Sequence, residues 1–178
     1  MKNYNLKNIN VTVVDGHRTM RKLLTFVIRA LGVKHVDIRR NSEESEQFNT
    51  VAKPDVIFTD WSPKLDGIDL VKQIRRNKSV HDRFIPIVMI TAFNDLPRIC
   101  EARDAGVTEF LAKPVTAELI YRRICALVDQ PRSYVQSKSF FGPDRRRRNL
   151  AYVPAERRQE PPRSAANTDY RSRVRMAV

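Results

Sequence analysis

A chain of 178 residues with 42% hydrophobic side chains can bury a core and still leave an appendage outside it. The formal net charge is +13, and residues 131–178 hold 12 basic against 4 acidic side chains, so more than half of the excess sits in the last quarter. That balance favours acidic partners. No apolar run approaches the roughly 18 residues of a membrane span, and no signal-peptide pattern opens the chain. A cytoplasmic protein is expected, with Cys100 and Cys125 as reduced thiols, because their spacing suits neither a metal nor a disulfide framework.

Residues 9–14, Ile-Asn-Val-Thr-Val-Val, are short and β-branched and predict a buried strand. Asp15-Gly16-His17 follows as a loop. From residue 18 to 31 the apolar residues Met20, Leu23, Leu24, Val27, Ile28 and Leu31 recur at helical spacing, and Gly32 stops the helix. A second strand is expected over 33–38. Ser42 is then the expected N-cap of a short polar helix that ends before Pro54. Residues 55–59 predict a third buried strand with Asp60 at its C-terminal end. A loop over 62–67 leads to a helix over 68–76 with Leu70, Val71 and Ile74 inward. Residues 85–90 predict a fourth strand ending at Thr91. Pro97 stands early in the next helix, where its missing N–H is tolerated, and Gly106 ends that helix. Residues 109–112 are a fifth strand leading into Lys113-Pro114, and Thr116 caps a last helix running to about Val128.

Strands that are apolar on both faces and alternate with helices make a parallel sheet covered on both sides. Ligand sites in such sheets lie beyond the C-terminal strand ends. Asp15, Asp60, Thr91 and Lys113 each fall just after or at such an end. Singly, an Asp or Thr at a strand end is an ordinary cap or turn residue and a lysine an ordinary surface charge; here the set falls on one rim. Past Asp129 the periodicity fails. Pro131, Pro143, Pro154, Pro161 and Pro162 punctuate an arginine-rich stretch, so residues 1–130 are expected to be the domain and 131–178 a largely disordered, dispensable tail.

Val13-Val14-Asp15, Asp60-Trp61, Asp66-Gly67, Thr91-Ala92 and Phe110-Leu111-Ala112-Lys113-Pro114, in that order, resemble the receiver domain of two-component response regulators over roughly residues 8–130. The resemblance implies the flavodoxin-like (βα)5 fold and a signalling module rather than an enzyme. It implies a stand-alone regulator that accepts a phosphoryl group on Asp60 from a sensor histidine kinase or phosphotransfer protein. Mg²⁺ would be held by Asp15, Asp60 and the Ser62 backbone carbonyl, Lys113 would pair with a phosphoryl oxygen, and Thr91 and Phe110 would switch conformation. The Lys113–Pro114 peptide is expected to be cis. A downstream protein target would read the fourth helix, fifth strand and fifth helix, around residues 95–128.

Two departures from that family are legible. Gly16 stands where a second acid is usual, which is expected to weaken Mg²⁺, and an aspartate there is expected to tighten it. The loop from Asp60 to Gly67 is one residue short near Pro63. His17, at the mouth of the site, is expected to be an ordinary exposed loop histidine, with a nitrogen ligand for a softer metal as the minor reading. The run Gly142-Pro143-Asp144-Arg145-Arg146-Arg147-Arg148 resembles an extension on some alphaproteobacterial stand-alone receivers, and its arginines suit a polyanion. No sequence-specific DNA-binding module is present. The alternative function is a phosphorylation-independent receiver scaffold that binds protein or polyanion through this tail.

Overall fold

The computed structural model describes residues 4–40, 53–76, 82–93, 95–137 and 140–144. The helix expected after Ser42 and the arginine run from Arg145 onward lie outside the described residues. In chain order the elements are β1 (Asn10–Val14), α1 (Arg18–Ala30), β2 (His35–Arg39), β3 (Val56–Asp60) and α2 (Gly67–Arg76). A 3-10 turn (Asp82–Phe84), β4 (Ile87–Thr91), α3 (Leu96–Ala105), β5 (Glu109–Ala112) and α4 (Ala117–Asp129) follow. The five strands are parallel in the order β2-β1-β3-β4-β5, the flavodoxin-like arrangement expected from the alternation of elements.

Alternate strand residues face opposite sides of the sheet, and each side has its own helical cover. Val11, Val13, Val56, Phe58, Val88 and Ile90 pack with Leu24 and Ile28 of α1 and Ile120, Ile124 and Leu127 of α4. Val14, Ile57, Ile87 and Met89 pack with Ile68, Val71 and Ile74 of α2 and Ala102 and Ala105 of α3. The N-terminal segment joins the first cluster through Tyr4, whose amide donates to the Tyr121 hydroxyl at 3.2 Å and whose own hydroxyl donates to Asp129.

The Thr116 cap and the Gly106 stop fall where the sequence predicts them, and Asp95 adds a cap that the sequence pattern left unmarked. Thr116 accepts from the Leu119 amide at 3.2 Å and Asp95 from the Arg98 amide at 3.2 Å, each holding an otherwise orphaned helix N–H. Gly106 ends α3 at φ 105°, a left-handed conformation that favours glycine.

The expected end of the ordered unit at residue 130 is corrected. Residues assigned to the tail form an antiparallel hairpin, β6 (Tyr134–Gln136) with β7 (Phe141–Pro143), on the side of α2 and the 3-10 turn. What holds it is Arg75, a buried guanidinium at the end of α2. It donates to the carbonyls of Gly106, Arg83 and Ile85 at 3.0, 2.9 and 2.8 Å, and burial pushes its pKa down. Tyr134 lies over it with the ring centroid 5.3 Å from the guanidinium carbon. Tyr134, Phe84 and Phe141 form an aromatic trio with centroids 5.1 to 5.7 Å apart, and Arg83 covers Phe141 at 3.4 Å. A second tie runs through Glu109, which accepts from Arg123 at 3.0 Å and Arg132 at 3.2 Å. Three aromatics at irregular spacing leave no periodic signal, which is why the sequence pattern missed them.

Candidate functional site

The order of strands reverses between β1 and β3, and this switch point puts Asp15 beside Asp60. Both are buried, at 1% and 2% exposure. Lys113 reaches in from the end of β5, 2.7 Å from Asp60 Oδ1 and 3.7 Å from Asp15 Oδ2. The Lys113–Pro114 peptide is cis, as expected. Asp15 Oδ1 accepts from the His17 amide at 2.7 Å. Asp15 Oδ2 and Asp60 Oδ2 have no hydrogen-bond donor. Burial, above all, and the nearby Asp60 charge push the Asp15 carboxyl above the ordinary range, against the His17 amide and Lys113, which pull it down.

Thr91, at the end of β4, is fully buried, and its hydroxyl donates to the Trp61 carbonyl at 2.6 Å while accepting from the Phe93 amide at 3.1 Å. The hydroxyl proton is therefore committed to the β3 loop. Phe110 is half-buried on β5, packed against the second core cluster. Trp61 meets the Phe93 ring edge-on at 5.4 Å, and Arg98 stacks on Phe93 at 3.6 Å.

The short loop after Asp60 closes into a tight turn. Ser62 and Leu65 exchange both backbone hydrogen bonds at 3.0 Å, with Pro63 at the corner where its fixed φ is favoured. The Ser62 carbonyl, an expected metal ligand, thus has one lone pair spent on Leu65. Asp66 caps α2 by accepting from the Ile68 and Asp69 amides, both at 3.1 Å. A Cβ on Gly67 would lie 2.1 Å from the Asp60 carbonyl oxygen, so this helix can start against β3 only with glycine.

The turn also bears on Gly16. A Cβ there would lie 2.9 Å from Lys64 Cβ and 3.1 Å from the Lys64 carbonyl oxygen. Any side chain at position 16 would therefore require the 62–65 turn to shift. Spacing along the chain does not reveal that Lys64 abuts Gly16.

Asp15, His17 and Asp60 together form a group able to hold a cation. His17 Nδ1 stands 3.5 Å from Asp15 Oδ1 and 3.9 Å from Asp60 Oδ2, with the side chain 43% exposed. The donors fit a divalent ion: Asp60 Oδ2, buried and without a hydrogen-bond donor, and Asp15 Oδ1 both lie close to the His17 ring nitrogen. No helix among the described residues is long and apolar enough to cross a membrane.

Residues 11–125 match the family model of the response regulator receiver domain. The chain is 32% identical over 125 residues to chemotaxis protein CheY-3 of Vibrio cholerae, covering 66% of this chain and 90% of that one. It is 30% identical over 118 residues to chemotaxis protein CheY1 of Helicobacter pylori, covering 65% and 94%. Among solved structures, a putative response regulator from Chloroflexus aurantiacus superposes with a TM-score of 0.60 at 31% identity, covering 68% of this chain and 98% of that one.

Proposed function

Because the chain belongs to the response regulator receiver domain family, whose members take phosphoryl signals rather than turn over substrates, we propose that Asp60 is its phosphoacceptor. The observation that carries this is the state of Asp60: one oxygen held by Lys113 at 2.7 Å, the other buried with no donor.

In the proposed step a carboxylate oxygen of Asp60 forms a bond to phosphorus as the bond from phosphorus to the donor nitrogen of a kinase phosphohistidine breaks. Lys113 is placed to balance charge on a transferred phosphoryl oxygen as a point charge. Asp15 and Asp60 would hold the divalent ion, Mg²⁺ by family resemblance, which offsets negative charge on the transferring oxygens when bound. Gly16 leaves that ion one carboxylate short.

Thr91 would exchange its bond to the Trp61 carbonyl for one to a phosphoryl oxygen. That exchange releases the β3 loop from β4, and Trp61, Phe93 and Arg98 connect the loop to the start of α3. The proposed output face is therefore α3, β5 and α4, where Leu96 is 72% exposed, and a downstream protein would read it. Phe110, on the middle strand of that face, is the proposed second switch residue.

A second reading has a specific observation behind it. Lys64 fills the place of the second acid, which suits a receiver scaffold that works without phosphorylation and binds protein or polyanion through its arginine run. Incubation with acetyl phosphate and Mg²⁺ followed by intact mass separates the two. One added phosphoryl mass on the wild type and none on Asp60→Asn is expected. Equal labelling of both proteins, or none of either, would overturn the phosphoacceptor reading, and the latter would favour the scaffold.

A further inference from the structure

We infer that the Asp60 pocket is a mixed nitrogen–oxygen cation site in which His17 is the third protein ligand, and that it selects a transition-metal dication of the Co²⁺ or Zn²⁺ class over Mg²⁺. The inference rests on the proposed reading only in taking the Asp60 pocket as a cation site; it does not require phosphoryl transfer.

Three independent features lead to it. First, the oxygens that would suit Mg²⁺ are depleted. Mg²⁺ demands near-octahedral oxygen ligation. Position 16 offers no carboxylate, a Cβ placed there would meet Lys64, and the Ser62 carbonyl already spends one lone pair on the Leu65 amide.

Second, a nitrogen replaces them. The His17 amide is pinned to Asp15 Oδ1 at 2.7 Å, which fixes the backbone so that Nδ1 comes to 3.5 Å from that oxygen and 3.9 Å from Asp60 Oδ2. Ligands about 2.0–2.2 Å from a shared ion lie no more than about 4.4 Å from one another, so these separations admit an ion with small adjustments. Neither is a hydrogen bond, since both exceed the range of one.

Third, the pocket is left electrostatically open on that side. Lys113 engages Asp60 through Oδ1 and stands 3.7 Å from Asp15 Oδ2, while Asp60 Oδ2 faces His17 and is buried with no donor. An imidazole with two carboxylates suits Co²⁺ and Zn²⁺, and oxygen-only sets suit Mg²⁺.

The test uses the full chain and the metals alone, with no phosphodonor. Titration calorimetry with CoCl₂ and with MgCl₂ is run on the wild type, His17→Ala, Asp60→Asn and, as a control for surface histidines, His35→Ala. Co²⁺ should bind the wild type at least about 100-fold more tightly than Mg²⁺. His17→Ala should weaken Co²⁺ by about tenfold or more, a loss of about 1.4 kcal/mol, and leave Mg²⁺ within about twofold. Asp60→Asn should weaken both, and His35→Ala neither. Visible Co²⁺ absorption should change with His17→Ala alone among the two histidine variants.

Equal affinity for the two metals, or Co²⁺ binding indifferent to His17→Ala, would overturn the inference. Failure of the phosphoacceptor reading looks different. Co²⁺ held through His17 with no acetyl phosphate labelling of Asp60 supports this inference and removes that reading. Labelling with Mg²⁺ while His17→Ala binds Co²⁺ as wild type does the reverse.

Discussion

Removing Tyr134 tests whether the C-terminal hairpin belongs to the folded unit. Tyr134 is 4% exposed, lies over the Arg75 guanidinium and packs edge-on against Phe84. An aromatic side chain buries about 150–250 Å², which at about 25 cal/mol/Å² is roughly 4–6 kcal/mol. Burial already present in the unfolded chain lowers this by about 10–40%. Its hydroxyl bond to the Ile85 carbonyl, at 3.5 Å, is too long to add much. Water admitted over Arg75 offsets a further part, because that guanidinium is satisfied mainly by carbonyls and is costly to keep dry. We expect Tyr134→Ala to cost about 3 kcal/mol, within the range of large-to-small core changes. At about 3–4 °C per kcal/mol for a chain of this size, Tm should fall by about 10 °C. The assay is thermal unfolding by circular dichroism, for this variant and for chains ending at Asp144 and at Asp129. The Asp129 chain should melt well below the Asp144 chain, against the sequence-based expectation that everything past 130 is dispensable. The deletion also removes residues whose ordering costs about 1–2 kcal/mol each, so the point variant is the cleaner measure. If Tyr134→Ala and the Asp129 chain both melt within about 2 °C of their parents, the hairpin does not stabilise the domain and the reasoning fails.

Gly16→Asp should destabilise the protein by about 1–3 kcal/mol, the usual cost of overpacking, because Lys64 and its carbonyl must move. It should not tighten Mg²⁺, and inserting one residue after Pro63 should recover both stability and Mg²⁺ affinity; a tenfold tighter Mg²⁺ in the single variant, read by calorimetry, would show that the turn yields easily. At high pH the Tyr4 phenol supplies a test of the N-terminal tie. Its bond to the Asp129 carboxylate, with burial second, pushes its pKa up to about 12. A folded pKa above the unfolded value of about 10 means the stabilisation is whole below pH 10 and is lost as pH rises towards 12. Tyr4→Phe should flatten that part of the stability curve and delete one phenolate transition near 12 from an ultraviolet titration. An unchanged titration would place the phenol away from Asp129.

How much of this was legible in advance depended on whether the signal was local. Apolar runs ending in Asp60, Thr91 and Ala112, helical spacing in α1 and α2, and the helix signals at Thr116 and Gly106 are consequences of backbone preference and burial. They are readable from a single chain, and they set the sheet and the rim that carries Asp15, Asp60, Thr91 and Lys113. The same holds for the charge imbalance of the last quarter of the chain.

Only the tertiary structure decided what those residues do to one another. Lys64 and Gly16 are far apart in sequence, and the tight Ser62–Leu65 turn brings Lys64 within 2.9 Å of where a Cβ on Gly16 would lie. His17 reads as a loop histidine until the β1–β3 switch point sets its ring near two half-satisfied carboxylates. The stretch from Pro131 to Asp144 reads as tail because Tyr134 and Phe141 have no period. They find their partners, Arg75 and Phe84, on elements 50 to 59 residues upstream. Each of these is a non-local pairing, fixed by which surfaces the fold brings within van der Waals reach and by which buried polar groups are left needing a partner.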